Sequence, residues 1–108
     1  MNSREKGKRG ERMLAQVLRE HGYEARRGLQ YKGGAESPDV IGLAGIHIEC
    51  KFVEHLNLSE AYAQAFRDAG NGEIPAVFHK KSREPWMVSL TLEDFLKIYG
   101  GSHGIYHD

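Results

Sequence analysis

Apolar side chains in the first segment of the chain recur with the spacing of one helical face. The pattern predicts a helix over Ser3–His21, with Gly22 suited to its C-terminal cap. Gly7 and Gly10 weaken the first turns, which indicates either close approach of another backbone or a frayed end. The apolar stripe consists of Met13, Leu14, Val17 and Leu18.

Further along the chain, short apolar or alternating runs bounded by turn residues predict five strands, and two polar-capped segments predict helices. Ala44–Gly45 turns the second strand into the third as a β-hairpin. The strands are predicted over Tyr23–Leu29, Asp39–Leu43, Ile46–Phe52, Ala76–His79 and Trp86–Leu90, and the helices over Leu58–Ala69 and Thr91–Tyr99. The order α-β-β-β-α-β-β-α predicts an α/β (α+β) fold, a mixed central β-sheet flanked by helices.

The boundaries of the last two helices follow from their end residues. Asn57 and Glu60 have the spacing of a capping box, as do Thr91 and Asp94. Gly100–Gly101 is expected to end the last helix, so residues 100–108 are predicted to form a flexible tail. A length of 108 residues suits one domain, predicted over residues 1–108.

Charge is distributed unevenly although the formal net charge is zero. Residues 1–32 carry nine basic and four acidic side chains, a net of +5, whereas residues 33–78 carry two basic and seven acidic ones, a net of −5. This asymmetry indicates a surface that faces a polyanion beside an acidic cluster.

No apolar run is long enough to span a membrane. The lone Cys50 excludes an intramolecular disulfide, so we expect a reducing cytoplasm.

The third strand carries the candidate chemistry. Side chains alternate along it, so His47, Glu49 and Lys51 share one face. Asp39 lies on the neighbouring strand of the hairpin, where its carboxylate can meet that of Glu49. Two carboxylates repel unless a proton or a metal lies between them. Oxygen ligands favour a hard ion, Mg²⁺ first and Mn²⁺ as a substitute. The opposite face is apolar and consists of Ile46, Ile48, Cys50 and Phe52.

Glu11 offers a third acid on the first helix. It lies three residues before Leu14 and seven before Leu18, at the edge of the buried stripe. From there it can reach over the sheet toward the metal. The alternative is an ordinary solvated helix charge.

Ser37-Pro38-Asp39, followed after nine residues by Glu49-Cys50-Lys51, resembles the signature of the PD-(D/E)XK nucleases. The upstream Gly10-Glu11 and the Gly-Gly…Ser loop resemble the Holliday-junction-resolvase-like branch, especially its small phage-type and prophage-type endonucleases. The resemblance runs from about Lys8 to Leu96. It implies a restriction-endonuclease-like core and a Mg²⁺-dependent endonuclease that hydrolyses DNA phosphodiester bonds, with Holliday junctions among the candidate substrates.

The resemblance also implies roles for individual residues. Asp39 and Glu49 would bind the metal, with Glu11 assisting and the backbone carbonyl of Cys50 as a further ligand. Lys51 would act on the attacking water, and since neighbouring carboxylates stabilise its charged form, we favour orientation over proton abstraction. Three residues are possible accessories, each with a plain structural role as the alternative: Gln64, Ser37 and His47.

The partners expected from this interpretation are DNA and a second copy of the chain, because resolving a junction requires cutting two strands. No membrane and no organic cofactor are expected. Basic residues at two places in the chain could line a groove for phosphates. They are Lys6, Lys8, Arg9, Arg12, Lys80, Lys81 and Arg83. Two alternatives stay open: an inactive nucleic-acid-binding domain with the same fold, and an interaction protein whose Asp39, Glu49 and Lys51 form a structural ion-pair network.

Overall fold

A computed structural model describes residues 3–28 and 38–102. These residues form eight elements in the predicted order, and the predicted mixed sheet with flanking helices is confirmed. They are α1 (Ser3–Glu20), β1 (Arg26–Arg27), β2 (Val40–Ile41), β3 (Ile46–Phe52), α2 (Leu58–Asp68), β4 (Ile74–Lys80), β5 (Met87–Ser89) and α3 (Leu92–Ser102).

The five strands form one sheet in the order β1-β2-β3-β4-β5. The pairing is antiparallel except between β3 and β4, which run parallel because α2 carries the chain back between them. The hairpin prediction is confirmed, with Val40 opposite Ile48. Gly45 adopts φ +84° in the connecting turn, a conformation that favours glycine.

The two central strands are covered on both faces. Leu14 and Ala15 of α1 join Ile48 and Ala76 in the main core cluster. Ala61 and Ala65 of α2 pack on the opposite face, against Val77 of β4. Because β3 alternates, Glu49 shares this second face with Val77, its partner in the parallel register.

The packing of α1 on β3 explains why a glycine is present at position 10 of the helix. A Cβ built at Gly10 would lie 2.5 Å from the Cβ of Phe52, so the helix approaches β3 too closely for any side chain there. Gly7 has nothing within 4 Å of such a Cβ. Close approach therefore accounts for Gly10 and not for Gly7.

Several predicted boundaries were wrong. β1 and β2 are two residues each rather than seven and five, whereas β4 extends two residues before the predicted start and one beyond the predicted end. Gly100–Gly101 does not end α3, which continues to Ser102, so that part of the predicted tail is helical. Residues 103–108 lie outside the described part of the chain.

Within the described residues, no helix is both long and apolar enough to cross a membrane.

Candidate active site

The short β2 leaves part of the edge of β3 open, and the candidate site lies there. Asp39 precedes β2, and its backbone N–H donates to Ile48 O at 3.0 Å. Its carboxylate Oδ2 accepts the backbone N–H of Cys50 at 2.8 Å. The Asp39 carboxylate thus accepts a backbone hydrogen bond of the kind that a neighbouring strand would accept, and this bond holds it against the edge of β3.

Burial dominates the electrostatics of both central carboxyls. Desolvation raises the pKa of Asp39 to about 6, although the hydrogen bond from Cys50 opposes the shift. Desolvation also raises the pKa of Glu49 to about 7, and repulsion from Asp39 adds to it. The Lys51 ammonium, 3.5 Å from Glu49 Oε2, opposes that shift. The two carboxyls therefore lie close enough to interact, in surroundings that penalise two negative charges.

Glu11 reaches this region from α1, as the helical spacing predicted. Its side chain is only 13% exposed, so it is not a freely solvated helix charge. The guanidinium Nε of Arg27 donates to Glu11 Oε1 at 2.9 Å. Arg27 is one of the nine basic residues in the first 32 positions, but its sequence context predicts no role for it in the site. The only available signal was its place on a strand next to the candidate loop.

One cavity of about 350 Å³ collects these groups. Asp39, Glu49, Cys50, Lys51 and Glu11 all line it, so the structure brings together every residue predicted to be catalytic or to bind the metal. Gln64 of α2 lines the same cavity and also an adjoining one of about 230 Å³ that runs toward the start of α2. Lys6 and Gly7 lie at the rim that α1 provides.

The donor chemistry of this cavity fits a hard divalent cation. Asp39 and Glu49 supply carboxylate oxygens, with Glu11 at the same cavity, and such oxygens are the usual ligands of Mg²⁺ and Mn²⁺. A cation at this place would also offset the repulsion that raises the pKa of Glu49. The side chain of Cys50 is not part of this donor set, because it packs in the apolar core and burial raises the pKa of its thiol.

His47 shares the face of Glu49, as the alternation predicted, but it is buried at 1% exposure and does not line the cavity described above. Its Nδ1 lies 3.7 Å from Glu73 Oε1. Ser37, the remaining predicted accessory residue, lies outside the described residues.

The two groups of predicted DNA-binding residues meet beside the site. Lys6 lies 4.9 Å, Arg9 6.0 Å and Lys80 5.7 Å from the ring centroid of Phe52, so cations from α1 and from the end of β4 surround one aromatic ring. The other four predicted residues lie on the same two segments and are half-buried or exposed: Lys8, Arg12, Lys81 and Arg83.

Glu54 links these segments further. Its Oε2 accepts hydrogen bonds from Lys6 Nζ at 3.3 Å and from the backbone N–H and hydroxyl of Ser82, each at 2.9 Å. The acidic side chain therefore ties the start of α1 to the turn after β4. No local pattern predicts this contact, because the residues lie far apart in the chain.

Comparison with known proteins found a matching family model and a similar solved structure. The family model described as archaeal Holliday junction resolvase (Hjc) matches residues 2–61, more than half of the chain. A similar solved structure is that of Hjc from Archaeoglobus fulgidus, a Holliday junction resolvase from an archaeal hyperthermophile. It is 29% identical, with a TM-score of 0.59 over 79% of this chain and 72% of that one. A search of curated proteins found no match. The predicted phage or prophage type is not tested by these matches and stays a prediction.

Proposed function

The chain belongs to the archaeal Holliday junction resolvase family, within the PD-(D/E)XK nuclease superfamily, and we propose that it is a metal-dependent endonuclease that cleaves branched DNA. One observation carries the proposal. Asp39, Glu49, Lys51 and Glu11, which come from a helix, a loop and a strand, line one cavity at the open edge of β3.

Asp39 and Glu49 are the residues we assign to a divalent cation, with Glu11 and the backbone carbonyl of Cys50 as further ligands. When bound, Mg²⁺ or Mn²⁺ supplies Lewis-acid stabilisation of the phosphate charge and a water of lowered pKa. The protein provides positioning. The N–H of Cys50 holds the Asp39 carboxylate, and Arg27 holds Glu11.

We assign Lys51 to the orientation of the attacking water and to the stabilisation of charge on the phosphate. Its ammonium lies 3.5 Å from Glu49, which keeps a positive charge at the cavity wall. Gln64 faces the same cavity from α2 and is positioned to donate to phosphate or water. Since its amide carries no charge, we expect a smaller effect from Gln64 than from Lys51.

The basic residues around Phe52 provide the proposed surface for DNA phosphates. Lys6 both belongs to this group and lines the acidic cavity, so the cationic surface and the carboxylates are continuous. Attraction of the phosphate backbone by such a surface is strongly salt-dependent and carries little base specificity. This suits a nuclease that selects DNA by shape. The reducing cytoplasm stays the predicted compartment.

The proposal is tested by a panel of substrates with Mg²⁺: a four-way junction, a flap, a nicked duplex and a plain duplex. Asp39→Asn and Lys51→Ala should each slow cleavage by about 10²–10³-fold, because each removes charge from the reacting centre. Glu20→Gln is the control, since this exposed carboxylate lies at the C-terminal end of α1 and does not line the cavity. Equal cleavage by all four proteins would contradict the assigned site and indicate a contaminating nuclease.

The same panel separates the proposed enzyme from the inactive DNA-binding alternative. A binding domain would show a steep salt dependence of junction affinity without metal-dependent turnover in the wild-type protein. The enzyme should cut the junction in preference to the plain duplex and require the divalent ion. Wild-type binding without cleavage, over the full range of Mg²⁺ and Mn²⁺ concentrations, would favour the alternative.

We also propose that the enzyme acts as a homodimer through the exposed apolar surface formed by β5 and α3. Exposed patches of this kind mark association sites, and cutting two strands of a junction requires two copies of the site. The surface contains Met87, Val88, Leu92, Phe95, Leu96 and Tyr99. In sedimentation experiments Leu96→Asp should shift the protein toward monomer. The control Phe66→Asp changes an exposed aromatic side chain on α2 and should not; the reverse result would place the interface on α2.

A further inference from the structure

A second group of potential metal ligands lies on the α2 side of β3. His47 and Glu49 stand two residues apart on one face of the strand, and Asp68 ends α2 above that face. One ligand atom from each of the three side chains lies within 4.8 Å of the other two. Asp68 also contributes to the raised pKa of both Glu49 and Asp39, so it is electrostatically part of this region.

The imidazole of His47 is the unusual member of this group. It is 1% exposed, and its Nε2 has no hydrogen-bond partner among the described residues. Its other nitrogen, Nδ1, faces Glu73 Oε1 at 3.7 Å. Leaving a buried polar atom unpaired costs about 1–3 kcal/mol. A neutral imidazole whose Nδ1 faces a carboxylate offers the lone pair of Nε2 to a metal, the arrangement in which histidine ligands are usually held.

Three acidic side chains surround the imidazole of His47. Asp68 lies in the last turn of α2, where the helix dipole already contributes partial negative charge. Glu49 and Glu73 approach the same imidazole from β3 and from the segment before β4. The Lys51 ammonium contacts Glu49 and neutralises only part of this charge. A divalent cation is the ligand that such surroundings favour.

We propose that His47, Glu49 and Asp68 form a binding site for a divalent transition-metal ion. One nitrogen and two carboxylate oxygens select Mn²⁺ or Zn²⁺ over Mg²⁺, because imidazole suits transition metals whereas Mg²⁺ prefers oxygen ligands only. In tetrahedral geometry with bond lengths of about 2.1 Å, the ligand atoms of one ion lie about 3.4 Å apart. The three ligand atoms here lie within 4.8 Å of one another, so binding an ion requires them to approach by up to about 1.4 Å.

This site is separate from the proposed catalytic centre but shares Glu49 with it. His47 and Asp68 do not line the cavity that holds Asp39, Lys51 and Glu11. The two oxygens of the Glu49 carboxylate allow it to face both places. Glu49→Gln should therefore weaken metal binding at both, whereas Asp39→Asn should leave the His47 site in place. Metal binding by His47 and Asp68 does not depend on nuclease activity.

The experiment is a titration of the full chain with Mn²⁺, followed by calorimetry and by pulsed electron paramagnetic resonance of the bound ion. The wild-type protein should show nitrogen modulation from a coordinated imidazole. The modulation should disappear in His47→Gln and persist in His79→Gln, a matched control whose Nε2 contacts the Ser89 hydroxyl at 2.8 Å. Asp68→Asn should weaken this Mn²⁺ site by about tenfold or more.

Two results would overturn the inference. One is the absence of nitrogen modulation in the wild-type protein, and the other is equal modulation and affinity in the wild-type, His47→Gln and Asp68→Asn proteins. If His47→Gln fails to fold, Asp68→Asn decides the question, because Asp68 is only half-buried and its replacement keeps the side-chain shape. Persistence of the site in Asp39→Asn distinguishes it from the proposed catalytic metal.

Discussion

The centre of the sheet and the β5–α3 end of the molecule are built in opposite ways. At the centre, α1 and α2 bury polar groups, with Glu49 at 3% and His47 at 1% exposure. At the other end, α3 leaves large apolar side chains in contact with solvent, with Leu92 at 71% exposure. A cavity of about 540 Å³, lined by Phe78, Phe95 and Ile98 among others, lies at this end of the sheet.

The two regions differ in which side chains their packing removes from water. The centre is packed closely enough to hold two carboxyls in a desolvated state, which is unfavourable in itself and useful for binding a cation. None of the described side chains of β5 and α3 is buried, and their exposed apolar groups are unfavourable for an isolated chain. The first region fits the proposed chemistry and the second the proposed association.

The largest contrast is expected from truncating an aliphatic side chain in each region. Ile48→Ala, at a fully buried position of β3, should lower the free energy of unfolding by about 2–5 kcal/mol. Leu92→Ala, on α3, should lower it by less than about 1 kcal/mol at low protein concentration. Denaturant unfolding measures both. A loss from Leu92→Ala equal to that from Ile48→Ala would show that α3 is packed as firmly as the centre.

The largest pH dependence of stability between pH 4 and pH 7 should come from the two central carboxyls. The folded protein raises the pKa of Asp39 from 3.8 to about 6 and of Glu49 from 4.5 to about 7. Between about pH 4 and pH 7 the folded state therefore binds more protons than the unfolded state. Metal-free protein should lose a few kcal/mol of unfolding free energy as the pH rises through this range, because burial disfavours the charged form of both carboxyls.

Thermal unfolding in a chelating buffer, followed from pH 4 to pH 8, measures this slope. Asp39→Asn and Glu49→Gln should each flatten it, whereas Asp94→Asn on α3 should not. Added Mn²⁺ should stabilise the wild-type protein more at pH 8 than at pH 5, because protons compete with the metal for the carboxylates. Stability that rises from pH 5 to pH 7 without metal would contradict a desolvated state of these two side chains.

The two glycines of α1 test how tightly the helix is packed on β3. Gly10→Ala should lower the free energy of unfolding by about 1–3 kcal/mol, because the new methyl group overlaps Phe52. Gly7→Ala should raise it by up to about 1 kcal/mol, since alanine favours the helix and meets nothing there. Denaturant unfolding of the two variants provides the measurement. A gain in the free energy of unfolding from Gly10→Ala as well as from Gly7→Ala would mean that α1 can shift away from β3 to make room for the methyl group.

The smallest effect concerns the two helix caps. Asn57 Oδ1 accepts the N–H of Glu60 at 3.1 Å, and Thr91 Oγ1 accepts the N–H of Asp94 at 3.1 Å. Asn57→Ala should lower global stability by about 1 kcal/mol, because α2 packs on the sheet. Thr91→Ala should change global stability less and instead speed amide hydrogen exchange within α3. Equal losses in the free energy of global unfolding from Asn57→Ala and Thr91→Ala would contradict the view that α3 is coupled more weakly than α2 to the rest of the fold.

Local patterns in the amino-acid sequence were enough to predict the order of the elements, because periods of 3.6 and 2 residues and the capping residues act over short distances. They also placed Glu49 and Lys51 on one face of β3, since alternation along a strand requires only local geometry. The carboxylates of Asp39 and Glu11 could be expected near Glu49 from the hairpin and the helical spacing. These parts of the site needed no knowledge of the packing.

Features that depend on distant residues emerged only from the folded chain. The pairing of Arg27 with Glu11, the contact of Glu54 with Ser82 and the approach of Asp68 to His47 join positions whose separation in the chain carries no local signal. Strand ends and the continuation of α3 through Gly100 are also set by neighbours rather than by propensity. Local periodicity fixes which face a side chain joins, whereas burial and partners arise only when separate elements pack together.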